Sequence, residues 1–262
     1  MTTQSRWKRL WQGADPAKPS KLAWTALGLA AASAAAAFGA GQAHRFGWMA
    51  YQPGFTILRV TVWTAAAGGV LGMVALIRAG TGARRRGWGP GLLGLIVALA
   101  YIAVPAYWAL IVLPGVPRIH DITTDTENPP AFVAMVPLRA GFPNPPEYDG
   151  ADVAALQKQA YPDLAPLKIA KPPAAVFPAA LEAVQGLGME IVDATEKEGR
   201  IEASTRSLFF GFVDDLVIRL VADGAGTRVD LRSKSREGRS DFGVNAARVR
   251  KLLQALKSRA AG

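Results

Sequence analysis

The sequence predicts a membrane-anchored α+β protein: three N-terminal transmembrane helices followed by a small domain of helix, four-stranded antiparallel sheet and helix. Three observations predict it. Three apolar runs, each close to the length that crosses a hydrocarbon core of about 30 Å as helix, occupy the first 113 residues. The net charge of +10 is confined to the same half: eleven basic residues against Asp15 precede Pro117, and 19 basic face 19 acidic residues from Arg118 onward. After Pro173 the apolar spacing switches from helical to alternating and back to helical.

The expected segments are a basic tail over 1–21, spans at about 22–43, 57–77 and 91–113, a proline-rich strap or linker over 114–173, and an α+β core over 174–262. The first span is uncharged but mostly alanine, the second begins beside Arg59, which can snorkel toward the headgroups, and the third is rich in Leu, Ile and Val. Pro105 is expected to disturb the third helix. All seven tryptophans lie in this half, most near the predicted span ends, where amphipathic rings suit the interface. The small residues Ala65–Gly72 suit close helix packing.

Lys and Arg accumulate in cytoplasmic loops. Five of them lie in the tail and four over Arg78–Arg86, whereas the Ala43–Arg59 loop holds Arg45 and the boundary Arg59, which directs the N-terminus to the cytoplasm and the C-terminal domain outward. A cleaved leader is the second reading of the first segment, but its apolar stretch is long for one. Either way the C-terminal domain emerges on the same side.

From Pro114 to Pro173 twelve prolines exclude long helix and central strand, apart from a short helix over Ala151–Tyr161. Apolar Phe132, Val133, Met135, Val136, Leu138 and Phe142 suggest a strap laid over the domain. A helix over Ala174–Leu187 follows, then strands at Met189–Ala194, Gly199–Arg206, Asp215–Val221 and Thr227–Ser235, the last pair joined by the hairpin signal Asp223-Gly224-Ala225-Gly226. In the last strand Val229, Leu231 and Ser233 oppose Arg228, Asp230, Arg232 and Lys234, so one face packs and the other is expected to be wet or ligand-facing. A closing helix runs from about Asp241 to Ser258, with Ser240 or Asp241 as its cap.

With no cysteine and only His44 and His120 as imidazoles, disulfides, thiol chemistry, cysteine-ligated metals and three-histidine sites are excluded, and no cofactor is expected. Three clusters carry what chemistry remains. His120, Asp121 and Asp125 form the one meeting of imidazole and carboxylate; they suit an acid/base or metal-assisted hydrolase, or else the tight turns that Asp, Thr and Asn make before prolines. Phe210 and Phe212 precede Asp214 and Asp215 in a segment that either grips an apolar ligand or lipid, or plugs the core. Arg232, Ser235, Arg236, Asp241, Asn245 and Arg248 gather at the start of a helix, where an anion is favoured; alternatively the arginines pair with Asp214, Asp215 and Asp241.

The HDITTDTENPP stretch from His120, FGFVDD from Phe210 and SKSREGRSDFGVNAARV from Ser233 resemble the motifs of domain-of-unknown-function family 1499 over about residues 119–256. The resemblance implies a bacterial or plastid family without an established activity, some of whose members carry N-terminal membrane segments. The expectation is therefore a multi-pass inner-membrane protein with a periplasmic domain that binds a lipid, an anionic ligand or an envelope protein. A hydrolase or a scaffold of an envelope complex is the alternative. The charge distribution does not favour nucleic acid, because the outer domain is neutral.

Overall fold

The computed structural model describes residues 20–79 and 87–260, which divide into two compact units meeting between Trp108 and Ala109. Most of the basic tail and the Arg84–Arg86 cluster lie outside the described residues.

The first unit consists of helices α1 (Lys21–Arg45), α2 (Tyr51–Ala79) and α3 (Trp88–Tyr107). Each is long and apolar enough to cross a membrane, the third when counted to Gly115. Ser20 caps α1 by accepting from the Ala23 N–H at 3.3 Å. The alanine content that makes α1 a weak insertion signal has a packing role: Ala23, Ala26, Ala30, Ala37 and Ala40 are buried along one stripe. A Cβ on Gly94 would lie 2.8 Å from the Leu27 backbone nitrogen, and one on Gly72 2.8 Å from the Gly91 carbonyl, so only glycine permits these approaches. Two hydroxyl contacts, Ser33–Thr64 and Thr61–Tyr101, each 2.6 Å, tie the helices laterally. Trp63 and Ile77 point outward. Beyond Pro105 the third helix widens into a π turn over Trp108–Val112 and tightens into a 3₁₀ turn over Leu113–Gly115. A proline that supplies no N–H loosens the ladder in this way.

The second unit is built on an antiparallel sheet of six strands, not four. They are β1 (Asp121–Thr123), β2 (Leu167–Ile169), β3 (Glu190–Thr195), β4 (Arg200–Arg206), β5 (Val213–Asp223) and β6 (Gly226–Ser235). The order is β1-β6-β5-β4-β3, with β2 also on β6. The two unforeseen strands are three residues each and come from the proline-rich stretch. Such fragments carry no alternation to detect, and they occupy an edge, where proline is tolerated nearby. β1 pairs Lys234–Arg232 and β2 pairs Val229–Thr227, so together they cover one edge of β6 end to end. The outer side of β1 is closed by Gln157 of α4 (Ala151–Ala160), whose amide accepts from the Thr123 N–H at 2.9 Å and donates to the Thr123 carbonyl at 2.6 Å.

Helices α5 (Pro173–Gly186) and α6 (Val244–Ala260) cover one sheet face. Ile201, Ala203, Leu216, Ile218, Leu220, Val229 and Leu231 meet Val176, Phe177, Ala180 and Val184 of α5 and Val249, Leu252 and Leu256 of α6, all buried. Burying each of the larger side chains contributes roughly 1.5–3 kcal/mol. α6 starts later than its apolar stripe suggests, because Asp241–Gly243 form a turn in which Phe242 has φ 54°. Asp241 accepts there from the Gly243 and Asn245 N–H groups, both at 2.8 Å.

Candidate functional site

The second face of the sheet is covered, not wet. The register sets Asp121 of β1, Glu202 of β4, Asp215 and Val217 of β5, and Arg232 and Lys234 of β6 on this face, and the strap over 130–149 crosses it. Only Phe132, Met135 and Val217, with half-buried Val192, form an apolar cluster here. The rest of the layer is ionic and buried, with Asp215, Asp121 and Lys234 0% exposed and Arg232 and Arg139 2% exposed.

Its partners are closely matched. Arg139 reaches in from the strap to donate to Asp215 at 2.6 Å and to the Lys234, Asn144 and Ser235 carbonyls. Arg236 grips Asp215 from the other side at 2.9 Å and donates to the Leu138 carbonyl. Arg232 forks onto Asp121 at 2.9 and 2.8 Å and donates to the Pro130 and Pro146 carbonyls. Its guanidinium lies over the rings of Phe132 and Tyr148. Lys234 donates to Asp149 and the Glu147 carbonyl, each at 2.6 Å. Glu202 accepts three strap N–H groups, from Val133, Ala134 and Met135, at 2.8–3.1 Å. Burial lowers the Arg139 pKa against the pull of Asp215, and burial with nearby Asp121 pushes Tyr148 up to about 12.

The structure sets Asp125 apart from the first cluster and links His120 to Asp121 only through Asp149 and Lys234. Asp125 accepts from the Glu127 and Asn128 N–H groups, a turn of the kind Asp makes before proline, and pairs with Arg219 and Arg228. Asp121 is held by Arg232 and Lys234. His120 instead meets Asp149, Nε2 to Oδ2 3.1 Å, without the alignment of a hydrogen bond. Burial depresses the His120 pKa, aided by Lys234 and opposed chiefly by Asp149. Among the described residues no group of three His, Asp or Glu side chains is arranged to hold a metal ion.

In the second cluster Phe210 is buried and stacks on half-buried Phe212, ring centroids 5.5 Å apart, while Leu208 and Phe209 are 89% and 41% exposed. The third cluster divides. Arg232 and Arg236 belong to the ionic layer, whereas Arg248 pairs with Asp214 at 2.7 Å and contacts Ser233 and Asn245. Asn245 bridges Ser233, Ser235 and the His120 carbonyl, and Asp241 works as a cap. Burial raises the Asp241 pKa against the pull of those two N–H groups.

A cavity of about 270 Å³ lies at one end of the sheet, lined by Gly188, Glu190, Ser204, Thr205, Arg206, Val213 and Arg236. Of these, sequence reasoning singled out only Arg236. It also missed Arg139, Asp149 and Glu202, although a glutamate between Ile201 and Ala203 in a strand marks a covered polar face.

Residues 121–256, just over half of the chain, match the family model described as "Protein of unknown function (DUF1499)". No curated protein matches the chain. A crystal structure of TTHA0849 from Thermus thermophilus is similar at 18% identity and a TM-score of 0.26, over 37% of this chain and 94% of that one; at that score the likeness carries no weight for fold or function.

Asp215→Ala is expected to cost about 3–5 kcal/mol, because it strands the buried Arg139 charge, against under about 1 kcal/mol for Asp163→Ala in the exposed pair with Arg250. Chemical unfolding of the full chain measures both.

The His120 pKa sits below its ordinary 6.5, so between the two values the unfolded chain holds a proton that the folded protein refuses. This contribution is complete above about pH 6.5 and is lost as pH falls below it, at a slope of at most about 1.4 kcal/mol per pH unit. His120→Gln should flatten the fall in stability between pH 7 and 5, and identical slopes in both proteins would count against the assignment.

Proposed function

We propose, from the premise that the chain belongs to the DUF1499 family of proteins of unknown function, that it is a membrane-anchored binding protein whose outer domain takes a small anionic ligand, a lipid headgroup or its free phosphate counterpart. The observation that carries this reading is the end cavity. At about 270 Å³ it lies just under the ~300–1,000 Å³ range of drug-sized pockets, and its polar lining suits a headgroup better than an apolar body. Arg206 supplies positive charge, since Arg236 is already paired to Asp215, while Ser204 and Thr205 supply hydroxyls and Glu190 a carboxylate for a ligand amine or hydroxyl. The large ionic layer is a poorer candidate, since its arginines already serve carboxylates and carbonyls. Nor is there a positive sign of hydrolysis: Asp121 and Asp125 are engaged by cations, and the carboxylate that His120 meets is Asp149.

Under this reading the protein sits in a bacterial inner membrane with its N-terminus cytoplasmic and the domain periplasmic. Support comes from the Lys and Arg bias of the tail and the Arg78–Arg86 loop, and from three spans, an odd number. A C-terminal alkaline phosphatase fusion is expected to be active and a fluorescent-protein fusion dark. The reverse pattern would overturn the orientation.

Binding is tested on the detergent-solubilised full chain by calorimetry with glycerol 1-phosphate and dihexanoyl phosphatidylglycerol. Ser204→Leu, which fills the cavity, and Arg206→Gln should each weaken binding about tenfold or more, a loss of about 1.4 kcal/mol. Preference for the dihexanoyl compound identifies lipid as the source, and equal affinity identifies the phosphate. Failure of both to bind the unaltered chain, or binding untouched by either substitution, rejects the cavity as the site.

A further inference from the structure

The polypeptide leaves the third span at Gly115 and enters β1 at Asp121. The five residues between them can bridge at most roughly 18 Å when fully extended. Within the second unit this short segment is pinned to one end of the sheet. Val116 lies 3.6 Å from where a Cβ on Gly243 would stand, the Ile119 carbonyl accepts from the Asp241 N–H at 3.1 Å, and the His120 carbonyl accepts from the Ser235 N–H at 3.0 Å. Ser235 in turn pairs with Asp214, at the start of β5. The loop over 207–212 and the turn over 236–243 therefore project from the end of the sheet into which the span delivers the chain, and the hairpin over 223–226 marks the other end.

The delivered end is amphipathic. Leu208 at 89% is the most exposed large apolar side chain of the described residues, and Phe209 and Phe242 are 41% and 42% exposed. Arg118, Arg206 and Arg239 are exposed around them, against half-buried Glu237 and the capping Asp241. Phe242 adds an independent sign. A bulky side chain at φ 54° occupies a region that L residues rarely adopt, and this one is held there by its neighbours' hydrogen bonds with its ring outward.

We propose that this end of the domain, through Leu208, Phe209 and Phe242, rests in the headgroup region of the bilayer that the third helix crosses, with Arg118, Arg206 and Arg239 on lipid phosphates. Apolar tips ringed by cations bind an interface in this way, the tips reaching about 5–10 Å into the headgroup and acyl boundary. The span brings the surface to the lipid, and a contact of this size, too small to anchor a free domain, suffices to orient a tethered one. The inference does not depend on the cavity being a ligand site.

Because the chain has no cysteine, single nitroxide labels can be introduced directly through Leu208→Cys, Phe242→Cys and, at the opposite end, Ala225→Cys. The full chain is reconstituted in vesicles of phosphatidylethanolamine and phosphatidylglycerol, and collisions with oxygen and with a water-soluble nickel chelate are measured by spin resonance. Labels at 208 and 242 are expected to show an oxygen-to-nickel collision ratio at least threefold above that at 225. A ratio less than threefold higher, or labels shielded from both agents, overturns the proposal. Leu208 and Ala225 are exposed, so their substitution does not endanger folding, and the comparison of that pair decides the outcome if Phe242→Cys fails to fold.

Discussion

The second unit depends on the ionic layer between strap and sheet, and within it on Asp215, gripped by Arg139 from the strap and Arg236 from the end of β6. A strap rich in proline cannot form a ladder, since each proline removes a donor. Its remaining N–H and carbonyl groups still need partners once buried. Side chains of the sheet supply them: Glu202 accepts from three consecutive N–H groups, while Arg232, Arg236 and Lys234 reach carbonyls at 130, 138, 146 and 147. Long charged side chains stand in for the missing strand. Arginine suits this because its five donors can serve a carboxylate and carbonyls at once.

The same arrangement governs what remains for recognition. A guanidinium already paired to a buried carboxylate gains little from a further anion, and removing either partner exposes an uncompensated charge. The arginine-rich segment from Arg232 to Arg248 therefore holds the strap and the start of α6 in place. Surface chemistry is displaced to the end of the sheet where β4, β5 and β6 give way to loops. There Arg206 and Glu190 line a cavity, and Leu208 and Phe242 face outward.

Much of the fold was legible because its signals are local. The apolar runs, the Asp223–Gly226 hairpin and the stripes of α5 and α6 each follow from spacing within one segment. β1 and β2 were not, because a three-residue strand is defined by its partner: Ile122 and Leu167 become strand residues only against Ser233 and Val229. The site was less legible still. Asp125 could be read as a turn former from the prolines that follow it, yet the pairing of Arg139 with Asp215 spans 76 residues and no local pattern announces it. The alternation Arg228-Asp230-Arg232-Lys234 was correctly read as a second face, but alternation cannot tell water from a strap as the neighbour. The apolar strap residues carried that information, and of these Phe132 and Met135 are the ones that pack there.

The motifs that carry the family resemblance coincide with this architecture. Asp121, Asp215 and Arg236 are members of the ionic layer, Asp125 is a turn paired to arginines, and Asp241 and Asn245 build the start of α6. A motif made of such residues specifies how a proline-rich strap is fastened to a sheet, and it does so whatever the domain binds. Membership of the family is thus evidence for the fold more than for any one activity. Glu190, Arg206 and Leu208 lie outside those motifs, at the sheet end that carries the cavity and the exposed loop.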